Sequence, residues 1–202
     1  MQHFTYIAHE SIPQLTKQLT HLWNVYGKIN YKLSNKLNHE LVNISVKNII
    51  DTDFGKWITS EIGEIDNCKF FVCAPSVWGE AHIDGPGGEV HIGGPEDSRQ
   101  CAINIPVANC DLGIMNWFSN CDEPKLIATY KTIVQTSGHR NDIEYWNVED
   151  TMILAHTALV KTNQWHNIDN RLNPNPRIVF SVRLKDNPLF DDVQRKLKQW
   201  II

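Results

Sequence analysis

The chain changes character at Cys68, and this change constrains the fold more than any other feature of the sequence. From there to about residue 185, short runs rich in β-branched and aromatic residues are separated by Gly, Pro, Asn and Asp. Runs of this kind are typical of β-strands, and no helical periodicity lies between them. The predicted strands are Lys69–Cys73, Ala81–Asp84, Glu89–Ile92, Cys101–Val107, Ile114–Phe118, Leu126–Val134, Ile143–Trp146, Ala158–Lys161, Trp165–Ile168 and Arg177–Leu184. So many short strands in succession predict a β-sandwich or barrel.

Helices are predicted on both sides of this β region. Apolar residues recur at helical spacing within residues 11–23, within residues 53–65, and again at the end of the chain. No internal repeat, low-complexity tract or linker divides the sequence. We therefore predict one mainly β domain with flanking helices over residues 1–202. Its parts are N-terminal helices at about 11–65, a β core at about 68–185 and a C-terminal helix at about 189–201.

Composition excludes several classes of protein. With 202 residues, 42% hydrophobic and 21% charged, the chain is typical of a soluble globular protein with one substantial core. Its 19 basic and 23 acidic residues leave a net charge of -4, which does not favour nucleic acid or an anionic membrane surface as a partner. No membrane-spanning run or secretory signal is visible, and the five cysteines contain no CxxC pair. We expect a cytoplasmic protein with reduced thiols and no nucleic-acid or membrane partner; nothing in the sequence indicates an oligomeric state.

A histidine and an aspartate stand two residues apart in the predicted strand Ala81–Asp84. Residues two apart on a strand project from the same face, so the imidazole of His82 and the carboxylate of Asp84 would point together into the β core. A His-x-Asp pattern is weak evidence alone, because the chain has nine histidines and a solvated strand edge would also explain it. A metal site would need further ligands from elsewhere in the chain.

A second histidine and an arginine follow late in the sequence. His166 lies on the predicted strand Trp165–Ile168, and Arg177 comes eleven residues later, at the start of the apolar strand RIVFSVRL. An arginine that begins a buried strand needs an anionic partner, because guanidinium stays charged and is costly to bury unpaired. That partner is either a protein carboxylate or the carboxylate of a bound small molecule.

Two histidines and one carboxylate on neighbouring strands form the facial triad that binds non-haem Fe(II). Imidazole suits Fe(II), and the carboxylate offsets part of its charge. Three coordination positions remain open for a chelating 2-oxo acid and dioxygen. His91, in the next predicted strand, and His156, before an apolar run, compete with His166 as the second histidine ligand. From the residues alone these alternatives stay open.

In its order of His-x-Asp, distal His and then Arg, the chain resembles the 2-oxoglutarate- and Fe(II)-dependent oxygenases over about residues 70–191. The segment RIVFSVRLKDNPLF is similar to the closing segment of the aspartyl/asparaginyl β-hydroxylase-like and phytanoyl-CoA dioxygenase-like branches. The segment Asn104–Val107 looks like the strand that contributes a cosubstrate contact there. The resemblance implies a double-stranded β-helix, which is a jelly roll of the cupin-like kind.

For the metal, the resemblance implies Fe(II) bound by His82, Asp84 and His166, with His166 preferred for its interval to Arg177. Related halogenases replace the carboxylate by a small residue, so Asp84 implies a hydroxylase. The aspartyl/asparaginyl hydroxylases themselves lack this Asp, which argues against that narrower group. No catalytic side chain beyond the metal ligands is expected.

For the cosubstrates, the resemblance implies 2-oxoglutarate and O₂. It pairs Arg177 with the distal carboxylate of 2-oxoglutarate and makes Asn104 a contact to the 2-oxo acid end. Many relatives have a serine two residues after this arginine. Here Val179 holds that place and Ser181 lies four residues after, on the same strand face. Arg183 also shares this face, as a second carboxylate contact or a rim residue.

The expected activity is oxidative decarboxylation of 2-oxoglutarate coupled to hydroxylation of a small-molecule or peptide substrate. The main alternative is a cupin-like metal-binding module without oxygenase activity, and a third is an assembly component with a vestigial site. Trp78, Trp117 and Trp165 neighbour the site elements. Large aromatic residues usually fill a small barrel, so we expect core packing more than substrate contact from them.

Overall fold

The computed structural model describes residues 2–27, 39–79, 81–85, 98–119 and 147–202. Its strands are β1 Phe4–Tyr6, β2 His39–Ile44, β3 Ile65–Cys73, β4 Cys101–Ala108, β5 Ile114–Ser119, β6 Asn147–Ile153, β7 Ala158–Lys161, β8 His166–Asp169 and β9 Arg177–Leu184. Its helices are α1 Ser11–Leu22, which continues as a π-helical turn Trp23–Gly27, then α2 Lys47–Ile50, α3 Asp53–Glu61, α4 Phe190–Lys196 and a 3₁₀ turn Lys198–Trp200.

The strands form two antiparallel sheets. The large sheet has the order β1-β7-β4-β9-β3-β2, and the small sheet has the order β6-β5-β8. The segment 81–85 lies beside β8, where His82 and His166 form an antiparallel bridge. From β3 onward the chain passes from large sheet to small sheet and back: β3, the 82–84 segment, β4, then β5 and β6, then β7, β8 and β9. This alternation is the double-stranded β-helix, so the predicted jelly-roll class is confirmed.

Strand β9 shows how the large sheet separates two cores. All eight of its residues are buried. Phe180 and Val182 pack with the helices on the outer face, in one cluster with Leu15 of α1 and Ile58 of α3. The alternate residues, Arg177 among them, point into the space between the sheets. A central strand covered on both faces reads as a nearly continuous apolar run, which explains why its polar residues stand out in the sequence.

Helix α3 is held against the sheet by a capped start and a close approach to α2. The Thr52 side chain accepts a hydrogen bond from the Gly55 backbone N–H at 3.0 Å, and Asp53 adds an acidic residue to the first turn. A Cβ on Gly55 would lie 2.1 Å from the carbonyl oxygen of Ile49. Only glycine therefore lets the two helices meet at this distance.

Most of the predicted elements agree with the structure, and the differences lie at the ends of β3 and of one helix and in residues 82–84. The prediction Arg177–Leu184 matches β9, and those for β4, β5, β7 and β8 agree within one residue at each end. Strand β3 begins at Ile65, four residues before the predicted start. Helix α3, which was predicted over residues 53–65, ends at Glu61. Residues 82–84 make single bridges instead of a regular ladder.

Strands β1, β2 and β6 were not predicted. β1 is only three residues long, and β2 and β6 are edge strands whose side chains are largely half-buried or exposed. They therefore lack a clear apolar alternation. The predicted strands Glu89–Ile92, Leu126–Val134 and Ile143–Trp146 lie outside the described residues, and the single-domain boundary of 1–202 stays a prediction.

The described cysteines are free and buried, as expected for reduced thiols; they are Cys68, Cys73, Cys101 and Cys110. Burial raises the pKa of the Cys68 and Cys101 thiols to about 12, so both are protonated and inert at neutral pH. In the described residues, no helix has the length and apolar character needed to cross a bilayer.

Candidate metal centre

Three potential metal ligands meet between the two sheets. The ligand atoms of His82, Asp84 and His166 all lie within 4.8 Å of one another. Asp84 Oδ1 is 3.4 Å from His82 Nε2 and 3.8 Å from His166 Nε2. Two imidazole nitrogens and one carboxylate oxygen therefore face a common point, with the donor types of a facial triad.

Backbone pairing sets this convergence. His82 N–H donates to the His166 carbonyl at 2.9 Å, and His166 N–H donates to the His82 carbonyl at 3.0 Å. This reciprocal pair places the two imidazoles side by side, with ring centroids 4.5 Å apart. Asp84 stands two residues beyond His82 and so projects from the same face of the segment. His82 and Asp84 therefore share one face of the segment, as strand periodicity predicted.

The protonation states suit a cation. His166 Nδ1 lies 2.7 Å from the Gln164 carbonyl, which can only accept a hydrogen bond, so Nδ1 carries the proton and Nε2 keeps its lone pair. Burial, together with the neighbouring His82, lowers the pKa of His166 to about 4. Burial alone would raise the pKa of Asp84, but Arg183 and the two imidazoles hold it well below its usual range. At neutral pH the cluster thus offers a neutral His166 imidazole and an ionised carboxylate.

Arg183 contacts the carboxylate of this cluster directly. Its Nη2 meets Asp84 Oδ2, while its Nη1 donates to the Cys101 carbonyl at 3.1 Å and to Thr162 Oγ1 at 3.0 Å. The sequence placed Arg183 only on the same strand face as Arg177, as a second carboxylate contact or a rim residue. The structure shows instead that its carboxylate partner is Asp84 of the protein.

The residues predicted to bind metal and cosubstrate line a single cavity. They are His82, Asp84, His166, Asn104, Arg177 and Ser181. The remaining lining residues are Phe71, Met115, Thr162, Ile168, Val179 and Arg183. Four apolar side chains, those of Phe71, Met115, Ile168 and Val179, thus share the cavity wall with the polar groups, as is usual for a site that binds a small ligand.

Arg177 lies in this cavity with no counter-ion from the part of the chain that the structure describes. Its side chain is only 2% exposed, and among the described residues it makes no ion pair, while its Nε has no hydrogen-bond acceptor. Gly113 approaches so closely that a Cβ there would lie 2.4 Å from Arg177 Cδ. Of the two partners left open for Arg177, a carboxylate from the described part of the protein is therefore excluded.

A row of polar residues crosses the large sheet between Arg177 and Arg183. Asn104 of β4 pairs with Ser181 of β9, and Ser181 pairs with Lys69 of β3. Asn104 Oδ1 is buried and has no hydrogen-bond partner among the described residues. Lys69 is 6% exposed and likewise makes no hydrogen bond or ion pair there; burial and the nearby Arg183 lower its pKa. Sequence reasoning missed Lys69, although a lysine inside a buried strand could have marked it.

The structure does not bring every candidate to this cavity. His156 is exposed and packs edge-on against Tyr6 at 5.7 Å, so it does not join the cluster. His91 lies outside the described residues. Trp117 is fully buried and donates from Nε1 to the Lys161 carbonyl, which is the expected role in core packing. The ring of Trp78 instead packs under the guanidinium of Arg171 at 4.2 Å.

The fold and the site together define a jelly roll with a two-histidine, one-carboxylate cluster that shares a cavity with a buried arginine, for which the described residues supply no carboxylate partner. No protein-family model matches the chain, and no curated protein matches its sequence. Its likeness to known proteins is structural.

AviO1 from Streptomyces viridochromogenes Tue57 superposes with a TM-score of 0.49 at 11% identity, covering 92% of this chain and 91% of that chain. A Pseudomonas putida prolyl-4-hydroxylase gives a TM-score of 0.49 at 9% identity, covering 91% of this chain and 94% of that chain. HygX from Streptomyces hygroscopicus, solved with nickel and 2-oxoglutarate bound, gives 0.46 at 8% identity, covering 91% and 83%. At this level of similarity, the function of this chain has to be inferred from its own residues.

Proposed function

We propose that this protein is a 2-oxoglutarate- and Fe(II)-dependent dioxygenase that hydroxylates a small-molecule or peptide substrate. One observation carries the proposal. A cluster of two imidazoles and an ionised carboxylate shares a cavity with Arg177, a buried cation without a carboxylate partner among the described residues. The cluster suits a divalent metal, and the arginine suits an anionic ligand held beside it.

His82, Asp84 and His166 would hold the metal on one face. Fe(II) bound there supplies the coupling of 2-oxoglutarate decarboxylation to substrate hydroxylation, with O₂ as the oxidant and succinate and CO₂ as products. The contribution of the protein is to keep His166 neutral and Asp84 ionised at neutral pH, since a protonated ligand cannot bind a cation. Met115 and Val179 would cover part of a bound ligand with apolar surface and so limit the water around it.

Arg177 would bind the distal carboxylate of 2-oxoglutarate, with Asn104 and Ser181 as polar contacts along its length. A buried, charge-assisted contact of this kind contributes on the order of 2–4 kcal/mol to binding. The unpaired Asn104 Oδ1 accepts hydrogen bonds only, so Asn104 would meet a carboxylate through its amide N–H groups and leave Oδ1 for a donor such as the hydroxyl of Ser181. Both residues reach the cavity because their strands pair in register.

The alternative function is a cupin-like metal-binding module without oxygenase activity. It requires a metal at the same three residues but gives no role to Arg177, a buried cation that has no carboxylate partner in the described ranges. An assembly component with a vestigial site requires neither. The presence of both features in one cavity therefore favours the oxygenase.

Anaerobic titration of the iron-loaded protein with 2-oxoglutarate tests the proposal. We expect the weak visible charge-transfer band that forms when a 2-oxo acid chelates Fe(II), and we expect 2-oxoglutarate-dependent succinate release in air. Absence of the band from a protein that demonstrably binds iron would favour the metal-binding module. If the protein bound no iron, the result would favour the alternative of an assembly component with a vestigial site. The Asp84→Ala variant, which lacks the carboxylate ligand, is the control for adventitious iron.

A further inference from the structure

We propose that Arg183 is a positioning residue for the metal centre: it holds one oxygen of Asp84 so that the other alone faces the two imidazoles. This inference rests on the proposed metal site. Asp84 would then bind the metal through a single carboxylate oxygen in a fixed orientation. It also gives Arg183 a role distinct from that of Arg177, although both stand on the same face of β9.

The division of the two carboxylate oxygens carries the proposal. Arg183 Nη2 contacts Oδ2 of Asp84, whereas the short distances to His82 Nε2 and His166 Nε2, 3.4 and 3.8 Å, run from Oδ1. The guanidinium therefore does not occupy the oxygen that faces the imidazoles. A residue that competed with the metal for Asp84 would be expected on that oxygen instead.

Arg183 is itself rigidly placed. It lies on the central strand β9, opposite Asn67 of β3, and its Nη1 binds the Cys101 carbonyl of β4. Thr162 Oγ1 accepts a further hydrogen bond from Nη1 and donates its own proton to the Arg99 carbonyl at 2.7 Å. Three segments of the barrel thus hold the guanidinium in place, and the guanidinium orients the carboxylate.

The expected effect follows from freedom of rotation. Without Arg183, the Asp84 carboxylate can turn about its Cβ–Cγ bond and offer either oxygen, or both, to a metal. It also loses the only arginine or lysine that the described structure places in contact with it. Loss of a partner that orients a metal ligand typically weakens metal binding about 10–100-fold.

Calorimetric titration with Co(II), a spectroscopically visible substitute for Fe(II), tests the inference. Arg183→Met keeps the side-chain bulk and removes the guanidinium, and Arg183→Lys restores a cation with one point of contact. We expect Arg183→Met to weaken Co(II) binding about 10–100-fold and Arg183→Lys to recover part of the loss. The matched control is Arg171→Gln, which breaks a surface ion pair with Asp169 at the other end of β8.

The absorption spectrum of bound Co(II) gives a readout that a purely structural role would not move. At saturating metal, the ligand-field bands report the arrangement of donor oxygens. We expect them to change in Arg183→Met and to stay as in the wild type in Arg171→Gln. Should Arg183→Met fail to fold, Arg183→Lys and Thr162→Val, which removes one support of the guanidinium, decide the question in the same assay.

Three results would overturn the inference. Unchanged affinity and spectrum in a folded Arg183→Met variant would make Arg183 a structural ion-pair residue. Tighter Co(II) binding in that variant would show that Arg183 competes with the metal. If the wild-type protein bound no Co(II), the proposed metal function would fail together with this inference, which separates that failure from the other two.

Discussion

Gly113 and Arg177 occupy neighbouring space so tightly that the glycine has no room for a side chain. A Cβ at Gly113 would lie 2.4 Å from Arg177 Cδ and 2.9 Å from its Nε, and 3.1 Å from Asn170 Oδ1. The two atoms closer than 3.0 Å, Cδ and Nε, both belong to the Arg177 side chain, which has rotatable bonds. The guanidinium is therefore the group that yields, and the backbone need not move.

Gly113→Ala should displace the guanidinium of Arg177 and leave the metal centre intact. We expect 2-oxoglutarate to bind about tenfold more weakly, since a misplaced charged contact loses much of its value. Co(II) affinity and the thermal midpoint should remain close to those of the wild type. Calorimetry with both ligands measures the two effects, and unchanged 2-oxoglutarate affinity would mean that the cosubstrate does not use this position of Arg177.

Arg177→Met should weaken 2-oxoglutarate binding to the metal-loaded protein by about 2–4 kcal/mol, roughly 30- to 1000-fold, because the buried cation that pairs with the distal carboxylate is gone. Lys69→Met is the matched control, since Lys69 is the other buried cation of this sheet face without a partner among the described residues. We expect Lys69→Met to retain the wild-type affinity. If Lys69→Met alone weakened binding, the anion site would lie at Lys69.

His166→Ala should abolish stoichiometric Fe(II) or Co(II) binding while the fold is retained, because one of the three ligands is lost. His156→Ala is the control: His156 is exposed and packs on Tyr6, away from the cluster. Metal content after gel filtration, together with far-UV circular dichroism, checks both variants. If a folded His166→Ala protein still bound one metal ion, His91 would be the second histidine ligand in place of His166.

Gly55→Ala should destabilise the fold without touching the site. The new Cβ would meet the backbone of the preceding helix at 2.1 Å from Ile49 O and 2.6 Å from Ile50 Cα, and backbone cannot rotate away. We expect a loss of about 1–3 kcal/mol in the free energy of unfolding, as for other overpacked positions. Urea unfolding measures it. Ser60→Ala, at an exposed position of the same helix, should change stability by less than about 0.5 kcal/mol.

The prediction of the fold from sequence succeeded where a strand is buried on both sides. Strand β9 was predicted with its observed bounds, because its interior position leaves a long apolar run interrupted by few polar residues. Strand β6, Asn147–Ile153, escaped prediction because an edge strand can carry polar residues at most positions and still pair with β5. Strand β1 is too short for any periodicity to be visible.

The prediction of the site depended on two kinds of reasoning. Strand periodicity placed His82 and Asp84 on one face, and the need of a buried guanidinium for an anion singled out Arg177. The choice of His166 over His91 and His156 came from family resemblance. In the structure His166 lies beside His82 and Asp84, His156 does not, and His91 lies outside the described residues. The contact of Arg183 with Asp84, 99 residues apart in the chain, had no local signal.

Which side chains point inward, and what chemistry they can offer, could be inferred from the sequence. Side-chain alternation and residue type are local properties, readable within a few positions of His82 or Arg177. Which of these side chains meet depends on the folded arrangement of the strands. The backbone bridge between His82 and His166 brings the two imidazoles together. The position of β9 places Arg183 in contact with Asp84, whereas Arg177 has no ion-pair partner among the described residues. Such pairings depend on how distant strands stack, because both arginines carry the same charge on the same face and only their distance from the carboxylate distinguishes them.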